Sequence, residues 1–231
     1  MSEPRRVLLA GASGLIGNRV MEAAKDEAWL RVVALARREA PMPRGARMEM
    51  LVAQPGEWPA VVAAIAPDAM ICALGTTMKQ AGSEEAFRAV DHDLVLSVAR
   101  AAREANVENF VLVSSVGANP NAKAFYMRVK GEVEAAVGKL RFRRLDILRP
   151  GLLRGKRQGE ARPLERLGML AAPLTDLFML GGNARYRSID ARLVAAAAIQ
   201  CSREKAAGQF VHEHAAILRQ ARRLEGVASA P

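Results

Sequence analysis

The chain has 231 residues, a formal net charge of +10, 51% hydrophobic residues and only 4% aromatics. That length fits one α/β domain, or one with a small appendage, and the apolar fraction is ample for a core of Ala, Val, Leu, Ile and Met. Two cysteines, Cys72 and Cys201, exclude a disulfide framework, and a reducing cytoplasm is the expected location.

The opening MSEPRRVLL has no long apolar stretch after its arginines, so no signal peptide is expected. The longest apolar run, Leu193 to Ile199, falls well short of the roughly 20 residues of a membrane span. The basic residues are scattered, among them Arg5 and Arg6, Arg141 to Arg144, and Arg219 to Arg223. No helix-turn-helix, zinc finger or aromatic-basic strand accompanies them, so no specific nucleic-acid partner is expected. Some of these arginines are expected to serve an anionic ligand.

Taken in order, the chain begins with a short apolar strand, Val7 to Leu9. It runs into Gly11, Ala12, Ser13, Gly14, Leu15, Ile16 and Gly17, a G-x-x-G-x-x-G turn, and then into apolar residues at helical spacing: Ile16, Val20, Ala23 and Ala24. Strand, tight turn and helix in that order aim a helix N-terminus at a phosphate. Gly11 would let the chain turn off the strand. Gly14 would let the backbone approach a pyrophosphate, and Gly17 would let helix and strand pack closely. The spacing differs from G-x-G-x-x-G, and three glycines alone also suit a flexible surface turn.

Leu30 to Ala36 reads as a second strand, ending in Arg37 and Arg38. In a dinucleotide fold that strand end meets the adenosine ribose. An acidic residue there would bind the 2′-hydroxyl, whereas arginine pairs with a 2′-phosphate. Positions 34 to 38 hold no acidic residue, so NADP(H) is expected rather than NAD. Residues 39 to 47 read as a loop, where the usual crossover helix is missing. Met48 to Val52 is a short third strand, Glu57 to Ala66 a helix with Pro59 in its first turn, and Ala69 to Leu74 a buried fourth strand. The backbone and hydroxyls of the segment from Leu74 through Gly75 and Thr76 could line the cofactor.

Ser83 is a good N-cap, with Glu84 and Glu85 favouring the dipole of a long helix to about Ala105. Asp91, His92 and Asp93 fall inside that helix. Neighbours in a helix point apart, so no metal site is expected there. Phe110 to Val113 is a fifth strand, ending at Ser114 and Ser115.

Tyr126 and Lys130 follow in AFYMRVKGEVEAAV. Four residues apart on a helix, they share a face. A tyrosine has an unperturbed pKa of about 10, and a nearby ammonium favours its phenolate. Such a pair can pass a proton to or from a substrate oxygen held by a hydroxyl such as Ser115, while a nicotinamide supplies or accepts hydride.

GASGLIG, the SSVGA strand end, YMRVKGEVE and ILRPGLLRG together resemble the short-chain dehydrogenase/reductase superfamily. The chain is most similar to its atypical branch, which holds the Tat-interacting-protein-like proteins and many bacterial NAD(P)H-binding proteins. The resemblance spans roughly Val7 to Ala195. It implies a Rossmann-like doubly wound parallel sheet, NADP(H), and a Ser115, Tyr126, Lys130 triad in which Lys130 also reaches the nicotinamide ribose. It further implies that the turn at Pro150 and Gly151 lies beside the nicotinamide. Two departures stand out. The interval from Ser115 to Tyr126 is shorter than in typical members, which leaves Ser114 or Ser115 as the functional hydroxyl. The asparagine that completes a proton relay in many members has no evident counterpart.

Leu145 to Leu148 is a sixth strand. Residues 152–189 break the alternating rhythm and read as a substrate-covering insertion, with Pro163 to Leu180 apolar at helical spacing. Asp190 caps an alanine-rich helix to about Cys201, and Gln209 to Val211 is a final strand. If that strand continued, His212 and His214 would share a face, but no third ligand is evident and no metal is expected. Residues 221–231 are expected to fray. The whole, residues 1–231, reads as a single NAD(P)-binding domain.

The expected activity is that of an NADP(H)-dependent oxidoreductase acting on a carbonyl or alcohol, with a small molecule as its partner and a homodimer left open. Two alternatives are a non-catalytic NADPH-binding regulatory or assembly protein and a sugar-nucleotide epimerase. The epimerase would retain NAD, against which the two arginines argue.

Overall fold

The computed structural model describes residues 3–44, 48–155 and 185–228. The chain runs β1 (Arg5–Ala10), α1 (Leu15–Ala24), β2 (Leu30–Ala36), β3 (Met48–Val52), α2 (Trp58–Ile65) and β4 (Ala69–Cys72). It continues through α3 (Met78–Ala81), α4 (Glu84–Arg88), a π-helical segment (Ala89–Leu94), α5 (Val95–Glu104), β5 (Asn109–Val113), α6 (Phe125–Gly138) and β6 (Arg144–Leu148). After β7 (Leu153–Arg154) come β8 (Ile189–Asp190), α7 (Ala191–Arg203), β9 (Gly208–His212) and α8 (His214–Ala228). The expected insertion is bracketed by β7 and β8, which pair in parallel. Residues 156–184, including Pro163 to Leu180, lie outside the described residues.

Strands β4, β5 and β6 are buried at every position, β2 at all but Arg31, and β1 from Val7 to Ala10. Such runs suit strands covered on both faces. They form one seven-stranded, all-parallel sheet in the order β3-β2-β1-β4-β5-β6-β9, the doubly wound, Rossmann-like architecture. Alternation along β1 divides the core. Val7 and Leu9 face α1, α7 and α8 through Val20, Ala197 and Ile217. Leu8 and Ala10 face α2, α5 and α6 through Val62, Val98 and Val133. Strand order reverses between β1 and β4, so the crevice outside their carboxyl ends is the topological switch point at which ligands of such sheets bind.

Three expectations change. The long helix after Ser83 begins as expected, with Ser83 Oγ accepting from Ala86 N at 3.1 Å, but its middle is a π segment. His212 and His214 do not share a strand face, because β9 ends at His212 and His214 opens α8. The tail does not fray at Ala221: α8 continues to Ala228, with Ile217, Ala221 and Leu224 buried at helical spacing.

His212 instead joins a buried ionic group. Its Nε2 lies 2.7 Å from Asp146 Oδ1, while Arg144 donates to both Asp146 oxygens at 2.6 and 2.8 Å and to Ala206 O at 2.8 Å. Cys201 Sγ is 3.9 Å from His212 Nε2. Asp146, Cys201 and His212 place potential ligand atoms within 4.8 Å of one another, yet Arg144 already balances the carboxylate and occupies both its oxygens. The group ties β6 to β9 and α7.

Candidate functional site

The turn after β1 is shaped by contacts no side chain could survive. Gly11 has φ +86°, and a Cβ there would sit 2.7 Å from Ala73 O. A Cβ on Gly17 would sit 2.2 Å from Gly11 O. Gly14 N donates to Gly11 O at 3.0 Å, closing the turn. Gly14 is also the N-cap of α1, where no side chain caps the helix and no acidic residue occupies the first turn. The first-turn amides are therefore left to an external anion. Ala12, Ile16 and Gly17 are buried, Leu15 is half-buried against Gly155, and Ser13 is exposed. A cradle that a Cβ would fill, beside an uncapped helix N-terminus at the switch point, fits a dinucleotide diphosphate.

Arg37 and Arg38 follow β2, one strand away from this turn. Both are exposed, and neither guanidinium has a hydrogen-bond or ion-pair partner among the described residues.

At the end of β4, Leu74 is buried, Gly75 is exposed and Thr76 is half-buried. Thr76 N donates to Asp91 Oδ2 at 2.8 Å, and Asp91 Oδ1 lies 2.7 Å from Lys130 Nζ. Asp91 is fully buried, and the Lys130 side chain is only 6% exposed. Burial opposes the ammonium, but the Asp91 carboxylate outweighs it and holds the Lys130 pKa above the ordinary lysine value. Cys72 lies in the same cluster, where burial pushes its thiol up to about 12, leaving it un-ionised at neutral pH.

Asp91 was not among the expected site residues. A signal for it exists in the sequence: Phe87, Asp91 and Val95 are spaced by four, and both flanking residues are in the core. A carboxylate where helical spacing calls for an apolar side chain needs a buried partner. It lies in the π segment, a distortion frequent at functional sites.

Helix α6 carries Tyr126, Lys130 and Glu134 at successive four-residue steps. The Tyr126 ring rests 5.5 Å from the Phe87 ring. Glu134 accepts from Arg149, whose Nε is 3.1 Å from each carboxylate oxygen. This pairing raises the Arg149 pKa and ties the turn at Pro150 and Gly151 to α6. Ser114 and Ser115 lie just beyond β5. Ser114 Oγ is buried without a hydrogen-bond partner, whereas Ser115 is half-buried and donates to Val116 O at 3.4 Å. The parallel sheet thus brings the segments after β1, β2, β4, β5 and β6 to one carboxyl edge.

Comparison with known proteins bears on the family and the fold. A family model described as NAD(P)H-binding matches residues 11–169. The chain is 34% identical to protein FMP52-1, mitochondrial, of Scheffersomyces stipitis over 162 residues, 69% of this chain and 72% of the relative. It is 41% identical to protein FMP52, mitochondrial, of Eremothecium gossypii over 153 residues, 65% of this chain and 67% of the relative. Among solved structures, WbmH of Bordetella bronchiseptica, in complex with NAD+, superposes with a TM-score of 0.68 at 15% identity, covering 99% of this chain and 84% of that one. At that identity the likeness concerns the fold alone.

The mitochondrial designation of these relatives overturns the expectation of a cytoplasmic protein. That expectation rested on unpaired thiols, which report a reducing compartment without saying which. No helix among the described residues is long and apolar enough to cross a membrane. From the glycine turn through β6, the chain belongs to the NAD(P)H-binding family, with a nicotinamide dinucleotide as its cofactor.

Proposed function

We propose that the protein is an NADP(H)-dependent oxidoreductase of a carbonyl or alcohol, most akin to the Tat-interacting-protein-like branch of the short-chain dehydrogenases/reductases. The observation that carries this reading is convergence on one sheet edge: uncapped first-turn amides of α1, and, on α6, a tyrosine one turn from a buried lysine. The amides from Ala12 to Gly17 would hold the diphosphate, and Arg37 and Arg38 the 2′-phosphate. Leu74, Gly75, Thr76, Pro150 and Gly151 would border the rest of the cofactor. Lys130 would reach the nicotinamide ribose.

When bound, a reduced nicotinamide would supply the hydride to the substrate carbon. Tyr126 gives its phenolic proton to the carbonyl oxygen, yielding an alcohol and a phenolate that water reprotonates. In the oxidative direction the Tyr126 phenolate would take the alcohol's proton, with the oxidised cofactor as hydride acceptor. Ser115, half-exposed, is better placed than the buried Ser114 to hold the substrate oxygen, and Ser114 would face inward behind it.

The test is NADPH oxidation over a broad carbonyl panel. Turnover abolished by Tyr126→Phe, with NADPH affinity retained, is the expected result. Tight NADPH binding with no turnover anywhere in the panel would instead favour a non-catalytic cofactor-binding protein.

A further inference from the structure

Lys130 is the cation expected to favour ionisation of Tyr126, yet its ammonium is already engaged. Asp91 Oδ1 sits 2.7 Å away, fully buried, and the other Asp91 oxygen is fixed by Thr76 N at 2.8 Å. A Cβ on Gly75 would lie 3.4 Å from Asp91 Oδ1 and 3.7 Å from Lys130 Nζ, so the turn after β4 closes directly over the pair. The ionisable groups facing Lys130 are Asp91 from the π segment, Tyr126 from its own helix and Cys72 from β4. The Cys72 thiol stays neutral over the working range, so Asp91 is the one anion set against this lysine among them. A carboxylate and an ammonium in contact form a dipole whose field falls away much faster than that of a lone charge.

We propose that Asp91 is a positioning residue that fixes Lys130 against the turn after β4 and cancels most of its positive field at the Tyr126 hydroxyl, so that the proton affinity of the Tyr126–Lys130 pair is set from the π segment. This deepens the oxidoreductase reading and rests on it for its functional meaning, but the electrostatic arrangement can be measured without cofactor or substrate. Removing the Asp91 charge leaves the Lys130 ammonium uncompensated beside Tyr126, so its field favours the phenolate. Asparagine at position 91 keeps an oxygen for Thr76 N.

The chain has two tyrosines, Tyr126 and Tyr186, so the experiment is an NMR pH titration of protein labelled with 13C at the tyrosine ζ carbon, with Tyr186→Phe assigning the signals. In Asp91→Asn, ionisation of Tyr126 is expected at a pH lower by about one unit or more than in the parent protein. In the double variant Asp91→Asn/Lys130→Met, where a neutral pair replaces an ion pair, it is expected within about half a unit of the parent. If the single variant does not fold, the double variant can still overturn the proposal. An unmoved Tyr126 in Asp91→Asn, or a rise of a unit or more in the double variant, overturns the proposal. Absence of turnover would defeat the oxidoreductase reading and leave this titration unaffected.

Discussion

The turn after β1 and the face of α6 border the same crevice but rely on different physics. The turn is made of backbone. Its shape follows from missing Cβ atoms at Gly11 and Gly17, and its attraction for an anion comes from peptide dipoles that need no ionisable group. The α6 face is made of side-chain charge. Lys130 depends on Asp91, and Arg149 on Glu134, each partner coming from a different element. A backbone site is indifferent to pH and sensitive to added bulk, whereas a side-chain site is sensitive to pH and to the loss of single charges. The two halves should therefore fail separately.

The largest expected separation is in Tyr126→Phe. Loss of the proposed general acid is expected to lower kcat about 100-fold or more, while calorimetry should find NADPH binding within about twofold, since the glycine turn is untouched. Next is Lys130→Met, which strands Asp91 in the core and is expected to cost about 3–5 kcal/mol of stability by urea denaturation. The pH dependence of that contribution has a definite sign. The folded-state pKa of Lys130 is raised, so its stabilisation is complete below the ordinary lysine value of about 10.4 and is lost as pH rises through the folded value. The parent protein should therefore lose stability in strongly alkaline buffer more steeply than Lys130→Met. Gly17→Ala should do the converse of Tyr126→Phe. Its Cβ must displace backbone, at a cost of about 1–3 kcal/mol, and NADPH affinity should fall at least tenfold with no change in the pH response of the α6 face. A Gly17→Ala variant that binds NADPH normally would contradict the backbone account.

The same division explains what the sequence made legible. The apolar stretches Val7 to Leu9, Val32 to Ala36, Ala69 to Leu74 and Phe110 to Val113 mark β1, β2, β4 and β5, and the glycine turn is local, so most of the fold and the cradle are legible from neighbours in sequence. Ser83 and Asp190 act as the caps their residue types suggest. Asp91 could not be assigned in this way, because its partner is 39 positions later and its helix is locally π-wound, which ordinary helical counting does not anticipate. His212 has its partner Asp146 on an adjacent strand, a proximity only the sheet order reveals. The helix beyond Ala221 was missed because arginines crowd its exposed face, while Ile217, Ala221 and Leu224 carry the buried one.

In the proposed reading the turn after β1 holds a dinucleotide diphosphate while arginines beyond β2 grip a phosphate on its adenosine end. Calorimetric titration with NADPH and with NADH, in the parent protein and in Arg37→Asp, tests it most directly. NADPH is expected to bind more tightly than NADH to the parent, with that preference reduced about 10- to 100-fold in the variant, as for one or two lost hydrogen bonds to a charged group. Equal affinity for the two coenzymes in the parent, or a preference untouched by Arg37→Asp, would contradict it.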